Sequence, residues 1–320
     1  MFEEEVPEFS SLKRFATIVG KLLVLGGMVL VFGSLGSLLS YFLCLYGFGV
    51  DISTINMLAL RPEQINELNA MKVFQVVAGS LGMFLVPALV FTRSLGLDFK
   101  TYVPVKIKVY WPFWFLGIAL LIVSNPIIAW LYKLNQYLSF PASYAEFEAS
   151  LKAMEASASA LTKVMITAHD VPTLLLNIVV VALMPAICEE VFFRGVMQQY
   201  LRISIGNASL AIFLTAIIFS GFHGQFYGFL PRVMLGGLLG YIYNYTGNIK
   251  VPILIHFINN ATAVILVYVF KDNSNISWLD ENYQFSWYWV VLSGLVTFGI
   301  LRSFKPLMLY YVRNRLAKKL

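Results

Sequence analysis

Three short motifs in the second half of the chain place acidic, basic and imidazole side chains in otherwise apolar sequence. The motifs are Glu189-Glu190-x-x-x-Arg194, Phe219-x-x-x-His223 and His256-x-x-x-Asn260. Ionisable groups are costly in lipid, and where they occur they usually serve a function. Carboxylates, imidazoles, a guanidinium and an amide can transfer protons and stabilise charge. The motifs therefore predict a membrane-embedded hydrolase.

The first motif divides into two roles by helix geometry. Glu190 and Arg194 are four residues apart and share one helix face, in the order that favours an ion pair. Glu189 is rotated by about 100° from Glu190. We therefore predict that Glu190 and Arg194 support the structure, whereas Glu189 acts as a general base. The alternative is that both glutamates belong to a single structural network.

The second and third motifs each supply an imidazole. His223 lies between Gly221 and Gly224, which permit close approach of backbone. His256 and Asn260 share a helix face by the four-residue spacing, whereas Asn259 is expected to point elsewhere. An imidazole beside an amide can stabilise an oxyanion or orient a water.

Two mechanisms use these groups. In one, Glu189 and His223 activate a water that attacks a peptide carbonyl, and His256 and Asn260 stabilise the oxyanion. In the other, His223, His256 and Glu189 bind zinc, which activates the water. The chain has no H-E-x-x-H element, so the metal signal is weak. We expect no cofactor, with zinc as the open alternative.

The composition indicates a membrane protein, because 59% of the residues are hydrophobic and only 12% are charged. Spanning a bilayer takes about 20 apolar residues. Eight runs approach that length: 16–46, 73–91, 110–131, 171–188 continuing toward 204, 208–222, 229–245, 251–270 and 287–301. We predict an all-α polytopic membrane protein, a bundle of about eight transmembrane helices with the catalytic residues inside.

The same runs organise the chain into five segments. They are an N-terminal cytoplasmic segment (1–15), scaffold spans (16–133), an extracytoplasmic loop (134–170), a catalytic transmembrane core (171–270) and a last span with a basic cytoplasmic tail (271–320). Within the loop, 144–161 is rich in helix-forming residues. This segment is either an interfacial helix over the entrance to the site or a linker between spans.

The net charge of +6 reflects topology rather than nucleic-acid binding. Most lysine and arginine residues fall in segments that would face the cytoplasm if the N-terminus is inside. This bias predicts that both termini are cytoplasmic.

Taken together, the motifs resemble the CAAX prenyl protease and bacteriocin-processing family, also called CPBP or Abi. The family pattern is E-E-x-x-x-R, F-x-x-x-H and H-x-x-x-N/D on successive membrane helices, and the chain matches all three in order over roughly 171–270. The resemblance implies an intramembrane endopeptidase of the glutamate type. Glu189 and His223 would activate water, and His256 and Asn260 would form the oxyanion site.

The resemblance also implies partners and a location. The partners would be the lipid bilayer and a membrane protein or peptide substrate, which in a bacterial plasma membrane need not be prenylated. Two other classes stay open: a non-catalytic immunity or scaffold protein, and a proton-coupled transporter, since intramembrane glutamate and histidine also form proton relays.

Helix arithmetic adds one condition. At about 1.5 Å per residue, straight spans would leave Glu189, His223 and His256 at different membrane depths. At least one helix must therefore be tilted, shifted or broken to form a site.

Overall fold

The chain is built from helices. The computed structural model describes residues 7–56, 59–61, 63–104, 108–270 and 285–317, and every regular element in these ranges is helical. In chain order the helices are α1 (Pro7–Phe48), α2 (Ile65–Ser94), α3 (Phe99–Tyr102), α4 (Pro112–Val123), α5 (Asn125–Gln136), α6 (Ala145–Ile166), α7 (Val171–Ile205), α8 (Ala208–Gly221), α9 (Phe229–Thr246), α10 (Lys250–Val269) and α11 (Trp287–Ala317).

Within the described ranges, five helices are long and apolar enough to cross a bilayer. They are Lys13–Phe48 of α1, all of α2, α7 and α10, and Trp287–Arg313 of α11. The α4–α5 pair, bent by 42°, makes a sixth if it forms one broken span. The remaining two expected runs are also helical, as the 14-residue α8 and the 18-residue α9. The predicted all-α, multi-pass membrane architecture is therefore confirmed, with five or six spans that qualify by their own length and composition.

The bend between α4 and α5 has a local cause. Pro126 lacks a backbone N–H and disfavours helical backbone just before it, so the helix breaks at Ser124. Ser293 of α11 donates a hydrogen bond from Oγ to the freed carbonyl of Val123 at 2.7 Å. A side chain of a neighbouring helix thus satisfies a group that lipid could not.

Two hydrophobic clusters hold the bundle together. One joins α1, α2, α7 and α8 around Phe91, Phe192 and Phe193. The other joins α4, α9, α10 and α11 around Leu239 and Phe304. The four helices that carry or support the polar motifs, α7 to α10, lie where these two clusters meet.

Helix α7 contains two π-helical segments, Ile178–Leu183 and Val191–Gln198, on either side of an α-helical stretch, Met184–Glu190. Pro185 explains the first segment, because it cannot donate an α-helical hydrogen bond to the preceding turn. A π-turn rotates the residues that follow it and often marks a functional site. The two glutamates therefore occupy the helix segment whose orientation these irregularities set.

Candidate active site

Glu190 lies at the centre of the site. One of its oxygens, Oε1, accepts a hydrogen bond from Arg194 Nη1 at 2.6 Å and another from His256 Nδ1 at 2.8 Å. Glu190 and Arg194 have no exposed surface, and His256 is 4% exposed. The first and third motifs are thus joined inside the protein, across α7 and α10.

The predicted Glu190–Arg194 pair forms, although 191–198 is π-helical. Arg194 also donates from Nη2 to the carbonyl of Gly236 at 3.1 Å, and its guanidinium lies 4.6 Å from the ring centre of Phe219. Arg194 therefore connects the first motif to α9 and to the first residue of the second motif. A buried ion pair costs desolvation unless further hydrogen bonds satisfy its polar atoms. These contacts satisfy part of the pair, whereas Oε2 of Glu190 and Nε of Arg194 are buried without a hydrogen-bond partner among the described residues.

A second hydrogen bond repeats this connection one turn along α7. Gln198 donates from Nε2 to the carbonyl of Gly240 at 3.0 Å. A Cβ at Gly236 would lie 3.3 Å from the Cα of Ala216 in α8, and one at Gly240 would lie 2.6 Å from Oε1 of Gln198. The two glycines thus let α7 and α8 approach α9 closely, as small residues do in membrane bundles.

Glu189 has different surroundings from Glu190. It is 9% exposed, and its carboxylate makes no hydrogen bond or ion pair with the part of the chain that the structure describes. It interacts electrostatically with His223, with Arg194 and with Arg232. Hydrogen bonds of the kind that a single structural network of both glutamates would use are therefore found at Glu190 and not at Glu189 within the described residues.

His223 lies just beyond the end of α8, in a turn that continues through Gly224 at φ +63°. Its Nδ1 donates to the carbonyl of Phe219 at 2.9 Å, because a carbonyl oxygen can only accept. In the neutral ring Nε2 is then an acceptor. His223 is exposed and interacts electrostatically with Glu189 and His256, without a hydrogen bond to either.

The third motif differs from its prediction in one detail. Asn259, expected to point elsewhere, donates from Nδ2 to Oδ1 of Asn260 at 3.1 Å. Since adjacent helical residues point about 100° apart, their contact was not evident from spacing. No hydrogen bond between His256 and Asn260 occurs in the described structure; His256 turns to Glu190 instead.

A further contact escaped prediction. Tyr227, four residues after His223, donates two hydrogen bonds to α6: its N–H donates to Glu155 Oε2 at 3.1 Å, and its hydroxyl donates to Glu148 Oε1 at 3.3 Å. Leu161 and Val164 of the same helix pack against the cluster of Leu60, Leu68 and Met71 near the start of α2. The helix expected within 134–170 is thus present, and it connects the scaffold to the segment after His223.

The geometry and the fold define a multi-pass membrane protein with a buried polar centre. Residues 171–262 match the family model described as "Type II CAAX prenyl endopeptidase Rce1-like". The match covers both glutamates, Arg194, both histidines and Asn260, and it confirms the resemblance drawn from the motifs. This segment is similar to Rce1-like endopeptidases, and the chain is an integral, multi-pass membrane protein. No curated protein and no solved structure matches the chain.

Proposed function

We propose that this protein is an intramembrane endopeptidase that hydrolyses a peptide bond of a membrane-associated protein or peptide. The observation that carries the proposal is the convergence of the three motifs from separate helices. Glu190 binds His256 directly, Arg194 packs on Phe219, and Glu189 lies within electrostatic reach of His223. Straight spans would leave these residues at different membrane depths, and the convergence supports a site in which they act together.

In the proposed reaction, Glu189 and His223 activate a water. The free carboxylate of Glu189 accepts the proton, and Nε2 of His223 accepts a hydrogen bond from the same water, since Nδ1 is held by Phe219. The hydroxide attacks the carbonyl carbon of the peptide bond and forms a tetrahedral oxyanion. Protonated Glu189 then returns its proton to the leaving amine as the C–N bond breaks.

The oxyanion would be stabilised by His256 and Asn260. His256 donates its Nδ1 proton to Glu190, so it can donate a second bond from Nε2 only as the imidazolium. Asn260 uses Oδ1 to accept from Asn259, which leaves its Nδ2 as the donor for the oxyanion. Donors held in this way stabilise charge with little reorganisation.

The zinc version of the hydrolase fits these residues less well. Among the described residues, no three His, Cys, Asp or Glu side chains are grouped so that they could hold a metal ion. A structural or catalytic zinc needs at least three such ligands. Glu189, His223 and His256 are not grouped as three zinc ligands. The mechanism proposed above therefore includes no step on a metal.

The proposed function also includes a class of substrate and a membrane location for the protein. The matching family is described as CAAX prenyl endopeptidases; for this protein we propose a membrane-anchored protein or peptide substrate, prenylated or not. The charge bias supports both termini in the cytoplasm, and we propose a bacterial plasma membrane as the location.

The test is peptide cleavage by the purified protein in detergent or nanodiscs. We expect Glu189→Gln and His223→Gln each to abolish cleavage while the melting temperature changes little, because Glu189 makes no hydrogen bond to any described residue and His223 is exposed. His169→Gln, a histidine before α7, is the matched control and should remain active. Full activity in both motif variants would overturn the proposal. A biological effect that survives both changes would favour the non-catalytic alternative.

A further inference from the structure

Arg232, in the first turn of α9, is a cation beside the proposed catalytic pair. Its Nη1 donates to the backbone carbonyl of Gln225 at 3.3 Å, and its Nη2 donates to Oε1 of the same residue. Both partners are neutral. In the described part of the chain Arg232 forms no salt bridge, in contrast to Arg194, which is paired with Glu190.

The charge of Arg232 reaches the site. Glu189 interacts electrostatically with Arg232, and Arg232 in turn acts on His223. Glu155 of α6 acts on Arg232 more strongly than Glu189 does, and its Oε2 also accepts a hydrogen bond from the N–H of Tyr227. The guanidinium is therefore within electrostatic reach of both Glu189 and the helix that contacts the segment after His223.

The protein positions this cation closely. A Cβ at Gly228 would lie 2.6 Å from Arg232 Nη1, so the guanidinium rests against the backbone of this glycine. That backbone is itself held by another helix. Asn135 of α5 donates to the carbonyl of Phe226 at 2.9 Å and accepts from the N–H of Leu230 at 2.7 Å.

A guanidinium has five N–H donors in a planar fork, and Gln225 takes only two hydrogen bonds from Arg232. A carboxylate is the group that matches the remaining donors best, through charge-assisted and bidentate bonds. The hydrogen-bond partners of this partly buried cation are neutral, and the carboxylates of Glu155 and Glu189 act on it without a hydrogen bond or salt bridge among the described residues. The guanidinium therefore has donors to offer an anionic group of a ligand.

We propose that Arg232 is a specificity-determining residue that binds a carboxylate of the substrate near the cleaved bond. This inference rests on the proposed function. That carboxylate can be the C-terminal group of a short leaving fragment or an acidic side chain. Binding there would fix the distance between the anionic group and the water held by Glu189 and His223, and so select which peptide bond is cut.

The experiment compares three fluorogenic farnesylated peptides in nanodiscs: one with a free C-terminal carboxylate, its C-terminal amide, and the amide with a glutamate one residue beyond the cleaved bond. We expect the wild type to prefer one carboxylate-bearing peptide over the plain amide by about tenfold to a hundredfold in kcat/KM, the range for a charged hydrogen bond. Which of the two is preferred identifies the source of the carboxylate.

The Arg232→Gln variant should lose that preference mainly through KM, and Arg232→Lys should retain part of it, since lysine keeps the charge but not the fork. Arg202→Gln, an exposed arginine at the far end of α7, is the matched control and should keep the preference. Equal cleavage of all three peptides by the wild type would overturn the inference. So would an Arg232→Gln variant that slows every peptide equally, which would assign Arg232 to the electrostatics of Glu189.

A binding measurement separates this inference from the proposed hydrolysis. Fluorescence anisotropy with the Glu189→Gln protein gives the affinity for the same three peptides without turnover. A carboxylate preference that disappears with Arg232→Gln would uphold the role of Arg232 even if no peptide is cut. Equal affinities for the three peptides would reject it, whatever the outcome for Glu189.

Discussion

His256 Nδ1 lies 2.8 Å from Glu190 Oε1, although the two residues are 66 positions apart in the chain. The same oxygen receives Arg194 at 2.6 Å. Glu190 therefore does more than balance the arginine: it fixes the ring orientation of His256 and determines which imidazole nitrogen faces outward. A carboxylate that orients a histidine in this way is a recurring device in catalytic sites.

The first prediction concerns this contact. Glu190→Gln should destabilise the protein by about 3–5 kcal/mol, because it leaves the fully buried Arg194 without its counter-charge. His256→Gln should cost less, about 1–3 kcal/mol. A double-mutant cycle followed by chemical unfolding in detergent should give a coupling energy of about 0.5–3 kcal/mol. Strictly additive effects would contradict a direct interaction.

The second prediction separates orientation from chemistry at Asn260. Asn260→Ala removes the proposed oxyanion donor and should lower kcat by about 10²–10³-fold. Asn259→Ala keeps that donor but frees Oδ1 of Asn260, so the amide can rotate. We expect a smaller loss in kcat with KM nearly unchanged. If Asn259→Ala has no effect on kcat in steady-state assays, the hydrogen bond does not orient the donor.

The third prediction uses two adjacent glycines of α9. Gly236→Ala should be destabilising by about 1–3 kcal/mol, since its Cβ would lie 3.1 Å from Phe219 Cδ1 and 3.3 Å from the Cα of Ala216. Gly237 has open space around it. Gly237→Ala should therefore be neutral or stabilising by up to about 1 kcal/mol, from helix propensity alone. Thermal unfolding of the two variants distinguishes helix packing from helix propensity. Equal shifts in melting temperature would contradict the close approach of α8 to Gly236.

The fourth prediction concerns pH and α6. The hydrogen bond from Lys152 holds the pKa of Glu148 below its usual value, with the backbone N–H of Phe140 as a further donor. A lowered folded-state pKa contributes stability above the usual carboxyl pKa, and that contribution is lost as the pH falls through the lowered value. Hydrogen exchange in the Phe226–Gly228 segment, corrected for intrinsic rates, should therefore rise on acidification below about pH 4.

A lysine substitution provides the control for that experiment. Lys152→Ala removes the partner of Glu148, which lies 2.7 Å away, so the rise in exchange should begin at a higher pH. Lys163→Ala, an exposed lysine on the same helix, should leave the pH dependence unchanged. Identical profiles for the two variants would show that the Glu148–Lys152 pair does not hold α6 against the segment after His223.

The membrane class, the helical segments and the first ion pair were predictable from sequence. Long apolar runs admit few alternatives, because lipid requires every backbone polar group to be hydrogen-bonded inside the protein, and a helix satisfies most of them by itself. The four-residue spacing likewise placed Glu190 and Arg194 on one face before any neighbouring helix was known. The order of the three motifs was enough to indicate the family type. These properties depend on residues that are close together in the sequence, so the spacing of the residues is enough to predict them.

Tertiary structure decided how the motifs meet. The π-segments of α7 set the direction of Glu189 and Glu190, and no periodicity in the sequence marks them. The partner of His256 became Glu190 rather than Asn260, since a buried carboxylate with one strong donor still accepts another. The contacts of α6 with Tyr227 and of Arg232 with Gln225 are not indicated by any spacing in the sequence. Sequence spacing determines which side chains share a helix face, whereas the packing of one helix against another determines which faces touch.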